Sequence, residues 1–324
     1  MTMGTIIEPT QVAPASNTPN VRARNNSFAP HFYFWTFAAI SCFAFWSPIR
    51  NLIGFSLSHD YGSHIFLIAP LSVFLTYLNR RKIFSGLQVR LNRKTAMAGS
   101  CLVLLGLIFL LASKYQPLSA DKLSLEILSL VFLWLSIFIF CYGTESFIRA
   151  RFPLLFLLLL VPFPEFIIDR VIFALQVGSS DVAYALLRIL NVPVLKDGFI
   201  LRLPIVNLEV AKECSGIRSS IALLVTMLLA AEFALRSTWR KALLVLAIVP
   251  ILVIKNGVRI VTIYLLAAYL NPAFLHGWLH TSGGVVFYLL GLAALMPVAV
   301  LLRKWERKSS NFSPVHHLAH VTSV

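Results

Sequence analysis

The chain has 324 residues, of which 58% are hydrophobic and 13% charged, and its mean hydropathy is +0.80. Soluble domains average roughly 45–50% apolar and about 25% charged residues, so this composition excludes an ordinary soluble domain and implies a membrane protein. The net charge of +15 does not imply nucleic-acid binding, because the basic residues sit in short clusters between apolar runs, where they act as topology signals.

Residues 1–30 are rich in Pro, Asn, Thr and Ser. That composition is expected of a disordered cytoplasmic tail; a cleaved signal peptide would place its apolar stretch earlier. Residues 31–304 are expected to form the transmembrane domain and 305–324 a cytoplasmic C-terminal tail. A helix needs about 20 apolar residues to cross a bilayer. Read in windows, the sequence predicts an all-α polytopic membrane protein with about eight such helices. They fall near 33–52, 63–79, 95–113, 123–142, 152–170, 215–235, 242–264 and 280–302. Pro162 and Pro164 weaken the fifth, because proline removes a backbone donor and kinks a helix. The seventh is able to run on to Leu270.

With eight crossings, every basic cluster falls on one face. The clusters are Arg22 and Arg24; Arg80, Arg81, Lys82, Arg90, Arg93 and Lys94; Arg149 and Arg151; Arg236, Arg240 and Lys241; and Arg303, Lys304, Arg307 and Lys308. The positive-inside rule makes that face the cytoplasm and puts both termini there. The expected location is therefore the inner (cytoplasmic) membrane. The longest outer segment, 171–214, begins with an apolar stretch from Val171 to Leu190, expected to lie as a helix at the interface. Asp197-Gly198 between two apolar runs predicts a β-hairpin. A second extended segment, Ile205–Val210, leads to Lys212-Glu213-Cys214 and the sixth span.

Three polar blocks interrupt the outer half of the apolar pattern. They are Glu213-Cys214-Ser215-Gly216-Ile217-Arg218-Ser219-Ser220, Asn256-Gly257-Val258-Arg259-Ile260, and His280-Thr281-Ser282-Gly283-Gly284. Charged groups within a membrane are costly and usually functional. Cys42, Cys101 and Cys141 belong to apolar spans and no CxxC pair occurs, so Cys214 alone sits among polar residues. In the first turn of a long helix, Cys214 has its thiolate favoured by the helix dipole. The amides of Ser215 and Gly216 are then available to a developing oxyanion. The bland reading of Cys214 is an inert thiol near a helix start. Arg259 stays protonated and is suited to hold a carbonyl, a carboxylate or an oxyanion; structurally, it is an arginine paired with an acid or snorkelling to the interface. Lys255, a turn nearer the cytoplasm, is expected only to snorkel. Arg218 is a secondary candidate for thiolate support. His280 exchanges a proton near neutral pH and suits deprotonation of Cys214 and protonation of a leaving amine. His276 shares its spacing but no third ligand lies nearby, so no metal is expected.

These blocks, in this order and approximate spacing, resemble the signature blocks of exosortases and archaeosortases. Asp60-Tyr61-Gly62-Ser63-His64 through Pro70 resembles the family's early His-containing segment. Phe152-Pro153-Leu154-Leu155-Phe156-Leu157 with Pro162-Phe163-Pro164 resembles its Pro-rich block. The likeness runs over roughly 40–302. It implies a membrane-embedded cysteine transpeptidase, without cofactor, acting on exported proteins that end in a short PEP-CTERM-like motif, a transmembrane helix and a basic tail. It links such processing to surface anchoring and exopolysaccharide. By the resemblance Cys214 is the nucleophile, Arg259 the substrate or oxyanion partner and His280 the acid/base. Archaeal members tend to carry Arg at the place of His280, which favours a bacterial member. The additional C-terminal soluble domain of some members is not expected. The Gly-Ser-His order at His64 departs from the commoner Ser-His-Gly order, and His64 is assigned no role. Membrane lipids are the other expected partner. The residues leave open a transporter or flippase with Lys255 and Arg259 along an anionic path, a simple protease using water, and a non-catalytic factor in polysaccharide export.

Overall fold

The computed structural model describes residues 28–85, 92–204, 207–210, 216–275 and 284–311. The architecture is helical, as expected from the unbroken apolar runs. In chain order the helices are α1 (Phe28–Ala44), α2 (Trp46–Ser58), α3 (Ile65–Leu78), α4 (Arg80–Ile83), α5 (Arg93–Ser113), α6 (Ser119–Arg149), α7 (Arg151–Phe156), α8 (Glu165–Ile189), α9 (Ile217–Ala234), α10 (Thr238–Leu246), α11 (Ile248–Tyr269) and α12 (Gly284–Asn311). Among the described residues, six helical segments are long and apolar enough to cross a membrane, and α1 with α2 forms a seventh candidate bent by 75°. The bend falls at Phe45, inside the first predicted span. The second predicted span is a 14-residue helix, about 21 Å at 1.5 Å per residue.

The fifth predicted span, 152–170, is not one helix. A short helix and the 3₁₀ turn Leu157–Leu160 end at Val161. Pro162 and Pro164 keep the chain out of the α region until Glu165 starts α8. Ten helical residues followed by four extended ones reach about 30 Å, a hydrocarbon thickness. The Glu165 N–H donates to Asp121 Oδ1 at 2.9 Å, so α6 and α8 begin at the same level. Nor does the helix expected at the interface begin at Val171. It is the continuation of α8, 25 residues without interruption and apolar enough to qualify as a span. The seventh helix takes the longer of its two expected courses and runs to Tyr269.

Basic clusters distant in sequence meet in space. Arg149, at the end of α6, donates through Nη1 to the Ser85 carbonyl at 2.7 Å and hydroxyl at 3.1 Å. Glu306 in α12 accepts from the backbone N–H groups of Arg236 and Ser237 at 3.0 and 2.7 Å, and from Arg240 at 3.3 Å. These bonds cap the open end of the α9–α10 turn while neutralising one charge among several cations.

Without a hydrophobic force between helices in lipid, close approach at small residues holds the bundle. α5 lies on α6 through Gly99 and Gly106; a Cβ on Gly99 would stand 2.5 Å from the Phe140 ring. The Ser136 hydroxyl donates to the Gly99 carbonyl at 2.9 Å. The main core joins Ile68, Ile127, Val131, Leu154, Ile172 and Ile221, from α3, α6, α7, α8 and α9. A separate cluster of Leu223, Met227, Leu244 and Leu295 joins α9, α10 and α12.

The small β element is larger than a hairpin. β1 (Leu195–Asp197), β2 (Ile200–Arg202) and β3 (Asn207–Glu209) form an antiparallel meander. Gly198 and Phe199 make the two-residue turn, and Gly198 has φ +58°, at the first central position where a type II′ turn favours glycine. Leu201 and Val210 are buried against Ala183, Leu187, Val261 and Tyr264, which docks the sheet on α8 and α11.

Candidate active site

The site is built where α8, α9 and α11 meet. α9 starts at Ile217, later than the sequence reading, which put the span at 215–235 with Cys214 in its first turn. Gly216 stands before it with φ +72°, a left-handed conformation that a residue with Cβ adopts only at a cost. The helix therefore begins three residues after Cys214 and two after the predicted start at 215. The first-turn amides of α9 have no acceptor within the helix. The Gly216 carbonyl receives the Ser220 N–H at 2.9 Å, the Ser220 hydroxyl at 2.8 Å and the Ser219 hydroxyl at 3.0 Å. Cys214, Ser215 and His280 lie outside the described residues, as does His276.

On the upstream side the chain is held by Val210. Its carbonyl accepts from Gln176 Nε2 at 2.7 Å and its N–H donates to the Phe199 carbonyl at 2.9 Å. On the downstream side, α11 presses against Gly216: a Cβ there would stand 3.0 Å from Asn256 Oδ1. Asn256 is buried and donates through Nδ2 to the Ser179 hydroxyl at 3.0 Å. Gly257 permits this approach, since a Cβ on it would fall 2.5 Å from Val182 Cγ1 and 3.2 Å from the Ala183 backbone nitrogen. Two of the three polar blocks are thus packed directly together, with α8 as their support.

Arg259 is half-buried on α11, its guanidinium carbon 6.0 Å from the centroid of the Phe287 ring. Phe287, 4% exposed, is on α12, seven residues beyond His280. The contact brings the second block to the helix that follows the third. Arg218 is exposed on α9.

Lys255 departs from expectation. It is 7% exposed, too buried to snorkel, and its ammonium donates to the Ser219 hydroxyl. Its stem passes 3.4 Å from the place of a Cβ on Gly291 of α12. Sequence reading gave no role to Gln176, Ser179 or Ser219. The available signal was the run Gly178-Ser179-Ser180 inside an apolar helix, a small polar face at helix-packing spacing.

His64 is buried just before α3, and its Nε2 has no hydrogen-bond partner among the described residues. The neighbouring 3₁₀ turn, Asp60–Gly62, packs against α9. The early block therefore also borders the helix that follows Cys214.

No curated protein sequence and no solved structure matches the chain. Residues 56–297 match the family model described as Transmembrane exosortase (Exosortase_EpsH). That match includes the three polar blocks, the early His segment and the Pro-rich block, and it extends over well more than half of the chain: the protein belongs to the transmembrane exosortase family.

Proposed function

We propose that the protein is a membrane-embedded cysteine transpeptidase that cleaves C-terminal sorting signals of exported proteins. The signal has a short PEP-CTERM-like motif, an apolar helix and a basic tail. The observation that carries the reading is the meeting of the motif blocks: Gly216 lies against Asn256, and Arg259 faces Phe287. Cys214 is two residues from Gly216, a reach of at most about 7 Å. Anchors at Val210 and Gly216 limit where that short segment goes.

The substrate helix enters laterally, with its motif at the outer surface. The Cys214 thiolate attacks the scissile carbonyl carbon, and the carbonyl electron pair moves to oxygen. Arg259 and the first-turn amides of α9 stabilise that oxyanion. The tetrahedral species collapses, the C–N bond breaks, and His280 gives a proton to the departing amine. The thioester left on Cys214 is then attacked by an amine acceptor, forming a new amide and returning the thiol. The pairing of basic clusters at Ser85–Arg149 and Arg236–Glu306 supports assigning them to the cytoplasmic face of the inner membrane, with the site facing outward.

The test is co-expression with an exported reporter carrying such a signal. The unaltered protein is expected to release the C-terminal helix, and Cys214→Ala to remain inserted and leave the reporter full-length. Normal processing by that variant would end the proposal. Product mass separates an acceptor-linked terminus from one hydrolysed by water.

A further inference from the structure

A cavity of about 730 Å³ lies between α1, α3 and α6, within the ~300–1,000 Å³ typical of ligand pockets. It is remote in sequence from the three polar blocks. Along α1 its wall runs from His31 to Cys42, and along α3 from Ala69 to Tyr77, with Arg80 and Arg81 of α4 following. The α1 stretch is about 16 Å long and the α3 stretch about 12 Å at 1.5 Å per residue, close to half of a ~30 Å hydrocarbon core.

The two ends differ in chemistry. The deep end is small and apolar, at Ala38, Cys42 and Ala69. The Trp134 indole also lines the cavity and donates to Ser41 Oγ at 2.9 Å. The other end carries Arg80, Arg81, His31 and Tyr142. His31 Nδ1 and the Tyr142 hydroxyl share a hydrogen bond of 2.9 Å. Arg80 is fixed, with its guanidinium 3.9 Å from the Tyr77 ring centroid and donating to the Tyr77 carbonyl at 3.0 Å. Arg81 is exposed and makes no ion pair with any described residue. Among the described residues, no carboxylate lines the cavity.

We infer that this cavity binds one anionic phospholipid of the leaflet at the basic face, with an acyl chain inside and the headgroup phosphate at Arg80 and Arg81. An apolar slot one leaflet deep with cations at its rim fits such an amphiphile; basic pockets between transmembrane helices bind anionic headgroups. A transmembrane helix does not fit, since it needs about 30 Å of wall. A basic tail would be repelled by the arginines.

The experiment uses the full-length protein in detergent, titrated with palmitoyl-oleoyl phosphatidylglycerol or phosphatidylcholine and read by native mass spectrometry. One saturable phosphatidylglycerol is expected, preferred over phosphatidylcholine. Arg81→Gln should weaken it roughly fivefold and Arg80→Gln/Arg81→Gln roughly 25-fold, at about 1 kcal/mol per basic residue. Ala38→Phe, which fills the deep end, should remove it, with thermal unfolding checking that the variant is folded. Equal retention of the two lipids overturns the inference. So does undiminished binding in the exposed Arg81→Gln variant. Displacement of the lipid by a synthetic transmembrane peptide with a basic tail would make the cavity a helix-docking groove and also overturn it.

Discussion

The buried Lys255 ammonium donates to the hydroxyl of Ser219, five residues beyond Cys214. Ser219 passes the contact on by donating to the Gly216 carbonyl at 3.0 Å. A cation inside the bundle is thereby tied to the turn at Gly216, within the Cys214 block. Lys255→Met is expected to leave insertion intact and slow reporter processing about tenfold, equivalent to about 1.4 kcal/mol in the barrier. In a cycle with Ser219→Ala the effects should couple by at least about 0.5 kcal/mol. Strict additivity would show that the lysine acts elsewhere.

Gly216 has both a left-handed φ and a neighbour at the position of its missing Cβ. Gly216→Ala should lower stability by roughly 1–3 kcal/mol, from backbone strain of about 1–2 kcal/mol and displacement of Asn256. Processing should fall further than stability, because α9 begins immediately after this residue. Thermal unfolding and reporter cleavage measured on the same preparation separate the two effects.

Arg259 tests whether a fork or a charge is needed. Arg259→Lys keeps the charge and loses the planar pair of donors. Processing is expected to fall by about 10²–10³, the usual consequence of losing an oxyanion donor. Activity within a factor of two of the unaltered protein would show that a cation alone suffices.

The α8–α11 contact at Gly257 has no room for a methyl group. Gly257→Ala should cost about 1–3 kcal/mol by overpacking. Gly54 in α2 has nothing within 4 Å of the same position. Gly54→Ala should be neutral or stabilising, by up to about 1 kcal/mol from helix propensity. Melting temperatures of the two variants in one detergent check the contrast.

Glu306 joins α12 to the start of α10 through three donors. Glu306→Ala hands those donors to water, at a cost of about 0.5–1.5 kcal/mol. Limited proteolysis should then cut faster near residues 235–237.

The helical architecture, most helix positions, the sheet at Asp197-Gly198 and the identity of the polar blocks were legible in the sequence. Each depends on local quantities: length of apolar runs, turn chemistry, and charge in an apolar context. The break at 161–164 was only half legible. Pro162 and Pro164 announced a kink, but hydropathy does not show that Glu165 meets the Asp121 carboxylate and opens a new helix there. The role of Lys255 was misread because a lysine near a helix middle looks alike whether it snorkels or is covered by α9 and α12.

By itself the sequence determined the family, the membrane habitat and the order in which thiol, guanidinium and imidazole blocks appear, since these follow from residue identity and spacing along one dimension. Only the tertiary structure decided that Gly216 rests on Asn256, that Ser179 holds Asn256 and Gln176 holds Val210 from α8, and that Arg259 faces Phe287. Those contacts arise from helix packing at small residues, and which glycine meets which helix is set by the whole bundle closing at once.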